Sequence, residues 1–132
     1  MAAVKGILVN DGGAPARIIN FLAGEAISAG EVLKPSTSAD MTCLLATNPN
    51  HAILGVALTD AASGEMCSII TGSGVICYIL CTDETAGVAL MVDTIAGQLD
   101  QWSGGGADDP GNIVAAMCLE DAAAGLTKCL LL

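Results

Sequence analysis

The chain has 132 residues and a formal net charge of −10, and its four Lys and Arg are too few to neutralise a run of phosphates, which excludes direct nucleic-acid binding. Hydrophobic residues make up 53% of it and aromatics 2%, so a single domain of this length builds its core from Ala, Val, Ile, Leu, Met and Cys. A mean hydropathy of +0.66 assigns part of the apolar surface to contact with another protein.

Residues 1–22 read as an arm. Lys5, Arg17 and Lys34 balance Asp11, Glu25 and Glu31, so the start of the chain is formally neutral, while the remainder carries eleven acids and only Lys128, giving −10. Gly6-Ile7-Leu8-Val9 and Ile18-Ile19-Asn20-Phe21-Leu22 are short β-favouring runs, separated by Asn10-Asp11-Gly12-Gly13-Ala14-Pro15, a loop with turn chemistry throughout. Such a strand can add to the open sheet edge of a neighbour, where backbone hydrogen bonds give affinity and apolar side chains give register. Ile7, Leu8, Val9, Ile18, Ile19, Phe21 and Leu22 are therefore the candidate contact residues; the competing reading is that both runs complete the chain's own sheet. Met1 to Gly6 lacks the long apolar stretch of a secretion signal, so folding in the cytosol is expected.

Residues 23–132 read as one compact all-β domain, a β-barrel or β-sandwich of short antiparallel strands. Strands are expected over Glu31–Lys34, Met41–Leu45, Ile53–Leu58, Met66–Ile70, Val75–Cys81, Val88–Val92, Gln98–Trp102, Ile113–Leu119 and Thr127–Leu131, punctuated by turn residues. Met66 to Thr82 is an uncharged stretch of 17 residues, but Thr71-Gly72-Ser73-Gly74 breaks it into two strands of an expected hairpin, which argues against a membrane span. Ser103 to Gly111 is the longest stretch with no strand signal.

The chemistry-bearing residues are sparse. Five of the six cysteines sit inside apolar runs and no CxxC pair occurs. Cys77 and Cys81 on one strand would stand about 13 Å apart, too far for a disulfide. All six read as reduced, small core residues. The one histidine, His51 after Asn48-Pro49-Asn50, has no ligand company for a metal. Asp83-Glu84 and Asp108-Asp109 lie in turn-like sequence, and no nucleophile with an adjacent base is visible. No catalytic residue, metal site or cofactor is expected, and the scarcity of His, Arg, Tyr and Trp leaves a small-molecule pocket without polar anchors.

One motif occurs twice. Gly55-Val56-Ala57-Leu58-Thr59-Asp60-Ala61-Ala62-Ser63-Gly64 returns as Ala116-Met117-Cys118-Leu119-Glu120-Asp121-Ala122-Ala123-Ala124-Gly125. Each copy is an apolar run, then Asp-Ala-Ala-small-Gly, then another apolar run. The Asp can accept hydrogen bonds from backbone N–H groups just ahead of it, and the Gly supplies a positive φ. Asp60, Gly64, Asp121 and Gly125 are thus expected to build turns.

Together with Gly24-Glu25-Ala26-Ile27-Ser28-Ala29-Gly30-Glu31-Val32-Leu33 and the closing run to Leu132, these motifs resemble the small head-decoration, or cement, proteins of tailed phages, over roughly Arg17 to Leu132. The resemblance implies a non-enzymatic protein on the outer surface of the virion capsid. Its partners would be the phage major capsid protein and copies of itself, most often as homotrimers, with no membrane. An acidic body suits a surface crowded with copies that must stay in solution. A self-polymerising subunit of a filament, tail tube or surface layer is the alternative that composition leaves open.

Overall fold

The computed structural model describes residues 13, 15–49, 53–82, 85–102, 113–121 and 125–132. They form ten strands: β1 (Arg17–Ala23), β2 (Val32–Pro35), β3 (Thr42–Leu45), β4 (Gly55–Ala57), β5 (Met66–Thr71), β6 (Ile76–Cys81), β7 (Ala89–Val92), β8 (Leu99–Gln101), β9 (Ala116–Cys118) and β10 (Gly125–Leu131). Each lies on a run picked out by β-branched residues or by alternation; in β6, Cys77, Ile79 and Cys81 are buried while Ile76, Tyr78 and Leu80 are half-buried. The all-β expectation therefore holds, strand by strand.

The strands close into two five-stranded barrels, ordered β1-β3-β2-β4-β5 and β10-β6-β8-β7-β9. In the first, β1 runs parallel to β3 with Ala23 opposite Cys43; in the second, β6 runs parallel to β8 with Cys81 opposite Leu99. The remaining pairs are antiparallel and match one for one. Val32 faces Val56 as Ala89 faces Met117, Val56 faces Ile70 as Met117 faces Leu130, and Ile19 faces Ile69 as Cys77 faces Cys129. Turn bonds repeat too: the Gly30 N–H donates to the Ala57 carbonyl at 2.9 Å and the Gly87 N–H to the Cys118 carbonyl at 2.7 Å. Residues 17–71 and 76–131 are thus two copies of one barrel.

Two features differ from the sequence reading. β1 pairs with β5 along six residues, so the part of the arm from Arg17 to Leu22 is a strand of the chain's own first barrel. Ile7, Leu8 and Val9 lie outside the described residues. The expected hairpin across Thr71-Gly72-Ser73-Gly74 is not formed, because β5 is already flanked by β1 and β4, and β6 by β8 and β10. That segment instead carries the chain from one barrel to the next, with φ of 129° at Gly72 and 84° at Gly74.

Ala23, Ile27, Leu33, Cys43, Ala57, Ala61, Cys67 and Ile69 fill the first barrel. A five-stranded barrel is narrow, which is why its lining is small. At Gly55 the fit leaves no room for a side chain: a Cβ there would press on the Ile70 carbonyl oxygen and come within 2.7 Å of Ile69 Cγ2. The second core cluster runs through the second barrel and also takes in Val32, Ala46, Val56 and Ile70 from the first.

All six cysteines are buried and free. Burial pushes the Cys67 thiol up to about 11 and Cys77 up to about 12. Cys129 is raised by its contact with Cys81, whose Sγ lies 3.7 Å away, and by burial. Thiolate is the reactive form, so these groups are chemically silent at neutral pH. Labelling with a thiol-disulfide reagent at pH 7 should count no reactive cysteine in the native protein and six after unfolding in guanidinium; rapid native labelling would contradict the burial.

Candidate interaction surface

The repeated Asp sits at an equivalent point in both barrels, and in each it accepts an N–H from a loop some thirty residues earlier. Asp60 Oδ1 accepts the Ala29 N–H at 2.8 Å, and Asp121 Oδ1 accepts the Ala86 N–H at 2.8 Å. Each carboxylate thus pins a tight loop that leads into the barrel's second strand, Ser28-Ala29-Gly30 in one copy and Thr85-Ala86-Gly87 in the other. The turn after Asp60 is closed by Glu65, whose carboxylate accepts the Ala62 N–H at 2.8 Å. Gly64 and Gly125 take φ of 89° and 141°. For Asp60 the notion of a self-contained turn is corrected: the side chain reaches across the barrel to an N–H of the neighbouring loop, whereas the turn expected after Asp121 lies at 122–124, outside the described residues.

The Asp60-pinned loop is part of the join between the barrels. Gly30 packs on the Leu126 side chain, and its carbonyl accepts the Leu80 N–H at 2.8 Å. Beside it, the Val32 N–H donates to the Gly97 carbonyl at 3.0 Å and the Gly97 N–H to the Ala46 carbonyl at 2.9 Å. A Cβ on Gly97 would lie 2.9 Å from Glu31 Oε2, so glycine is needed for the approach as well as for its φ of 82°. Glu31 also accepts the Ser28 N–H at 2.6 Å. Burial holds its carboxyl above the usual carboxylate range, the Ser28 hydrogen bond opposes this, and the charges of Glu25 and Asp60 add to it.

Outside the join the surface carries large apolar side chains. Ile18, Leu22, Met41 and Met66 are exposed on the first barrel, and Ile95, Ile113, Met117, Leu119 and Leu132 on the second half of the chain. Leu22 lies opposite Met66 and its N–H donates to the Met41 carbonyl, so these three form one patch. Of the arm residues singled out from sequence, Ile18 and Leu22 face outward, whereas Ile19 and Phe21 pack against the first core. The exposed methionines escaped notice because Met66, Met41 and Met117 read as core residues by type; the outward positions of the strand alternation were the available signal. A cavity of about 160 Å³ beside the linker is lined by Ile53, Leu54, Gly55, Thr71, Gly72, Ser73, Leu131 and Leu132, none of them with a charged side chain. No three His, Cys, Asp or Glu side chains gather as metal ligands among the described residues.

Replacing Asp60 or Asp121 by Ala should each cost about 1 kcal/mol in urea unfolding, with Asn less damaging because it keeps an acceptor, and the two losses should add. For Glu31 the sign is the reverse of the usual carboxylate. A raised folded pKa means the folded state holds the proton more tightly, so its contribution favours folding at low pH and is lost as pH rises through the folded pKa. Glu31→Gln should therefore melt above the wild type at pH 7, with the gap closing as pH falls to about 4. A gap that widens on acidification would refute this.

Neither a family model nor a curated protein matches the sequence. Among solved structures the chain is similar to the N base of the head fiber gp8.5 of bacteriophage phi29, with a TM-score of 0.69 and 17% sequence identity, over 89% of this chain and 95% of that one. Coverage of that extent reaches through both barrels, so the two proteins share the double-barrel fold.

Proposed function

We propose that this chain is a non-enzymatic structural protein of a phage virion, a decoration protein that binds the outside of the capsid and ties neighbouring major capsid protein subunits together. The observation that carries this reading is the likeness of the whole double barrel to the base of a phage head fiber. The decoration role rests further on the resemblance of the Asp-Ala-Ala-small-Gly motifs to cement proteins. Two rigid closed barrels with apolar patches on an otherwise acidic body suit a mechanical part: no sheet edge is left open for uncontrolled pairing, and the patches are available for docking. Bound across a seam between capsid subunits, such a clamp would resist outward pressure by burying apolar area on both sides of the seam. The neutral stretch before β1 is the part of the chain best suited to lie along the shell, and self-association as a homotrimer would place three such stretches around a local symmetry axis.

The test is cosedimentation of the purified protein with expanded, undecorated capsids of the phage that encodes it. Saturable binding is expected, and removal of residues 1–16 should weaken it while the melting transition of the barrels is retained. A well-folded protein with no affinity for those capsids would overturn the decoration role. Polymerisation in the absence of capsids, together with no capsid binding, would favour a filament, tail-tube or surface-layer subunit.

A further inference from the structure

The matching registers allow every surface position of one barrel to be compared with its counterpart in the other. Inside the chain, the first barrel presents Val32, Val56 and Ile70, all fully buried, with the Ala29-Gly30 loop beside them. The registers place Ala89, Met117, Leu130 and the Ala86-Gly87 loop at the same points of the second barrel. Among the described residues Ala89 and Leu130 are half-buried there, and Met117 and its neighbour Leu119 are 36% and 37% exposed. The other side of the join behaves in the same way. The second barrel receives the first on Leu80, Leu126 and Gly97. Their counterparts on the first barrel are Leu22, Met66 and Met41, exposed at 40%, 61% and 65%.

Among the described residues the internal join thus uses one face of each barrel, leaving complementary faces that still expose large apolar side chains. We propose that a second copy of this chain occupies them: the Met117 face of one molecule docks on the Leu22-Met41-Met66 face of the next, head to tail, repeating the internal join between copies.

The differences between the two repeats fit this arrangement. Where Glu31 meets Gly97 inside the chain, the counterparts are Val88 and Met41, so a carboxylate against a bare backbone becomes an apolar pair. Met41 holds a φ of 50°, in the left-handed region that favours glycine, and its side chain stands on the exposed patch. The Leu22 N–H is already taken by the Met41 carbonyl, so the backbone bond that Leu80 makes to Gly30 has no equivalent and the contact between copies is made by side chains. Such a heterologous contact closes into a ring or runs on as a filament according to the rotation at each step. The inference rests on the internal repeat and not on the capsid reading, and it is tested without capsids.

Light scattering on the full-length protein over a range of concentrations should show mass rising beyond one chain, more readily at high salt because each copy carries −10. Met66→Glu and Met117→Glu, both at exposed positions, should each leave a folded monomer, with association weakened at least tenfold. The decisive sample is their equal mixture. The Met117→Glu chain keeps one intact face and the Met66→Glu chain keeps the other, so the mixture should form dimers and nothing larger. A wild type that stays monomeric at every concentration, a mixture that stays monomeric, or either variant associating alone as well as the wild type would overturn the proposal. Circular dichroism and the melting transition of each variant establish that the barrels are intact.

Discussion

Val32, Val56 and Ile70 point out of a closed barrel and are completely buried. A barrel without edges satisfies its backbone within its own wall and its interior side chains within its own lumen, so its outside is ordinarily polar. Three large aliphatic residues on one outer wall create a requirement that the first barrel cannot meet alone. Burying them is worth on the order of 5 kcal/mol, comparable to the whole stability of a small domain. The second barrel meets that requirement, and the rest of the arrangement follows from how closely it must approach: Gly30 and Gly97 lack side chains where the walls touch, Glu31 is driven into a half-buried site, and Asp60 holds the contacting loop in shape.

Small side chains make this closeness feasible. The interior of the first barrel is Ala and Cys with three larger aliphatics, Ile27, Leu33 and Ile69, and the chain's few aromatic residues are kept out of the fully buried set. Cysteine serves here as a residue slightly larger than alanine with no need for a hydrogen-bond partner. The consequence is a core with little depth, in which layers rather than bulk give cohesion, and a molecule whose second barrel is as much a structural necessity as a second module.

Much of this was legible in the sequence. Strand positions follow from local alternation and β-branched runs, and all ten appear where those runs lie, including Ile18-Ile19-Asn20-Phe21-Leu22, which completes the first barrel rather than reaching elsewhere. The repeat was visible only at the Asp-Ala-Ala-small-Gly turns, because there both copies need the same residue types; elsewhere the barrels preserve volume and direction, not identity, as Val56 against Met117 and Val32 against Ala89 show. The hairpin expected at Gly72-Ser73-Gly74 failed for a non-local reason, since turn chemistry cannot report that both edges of each flanking strand are already taken. The same holds for Asp60 and Asp121, whose partners lie some thirty residues earlier. The exposed patches depend on register, and composition treats an outward methionine and an inward one alike.

The linker at Thr71-Gly72-Ser73-Gly74 has a further meaning. By tethering the two barrels through a few residues it sets their effective concentration in the millimolar range or above, so the faces inside the chain stay docked even if their intrinsic affinity is modest. The equivalent faces at the two ends of the molecule have no tether. For them, any scaffold that holds copies side by side at fixed spacing would play the part of the linker, and contacts too weak to persist in dilute solution would lock together once the array is populated.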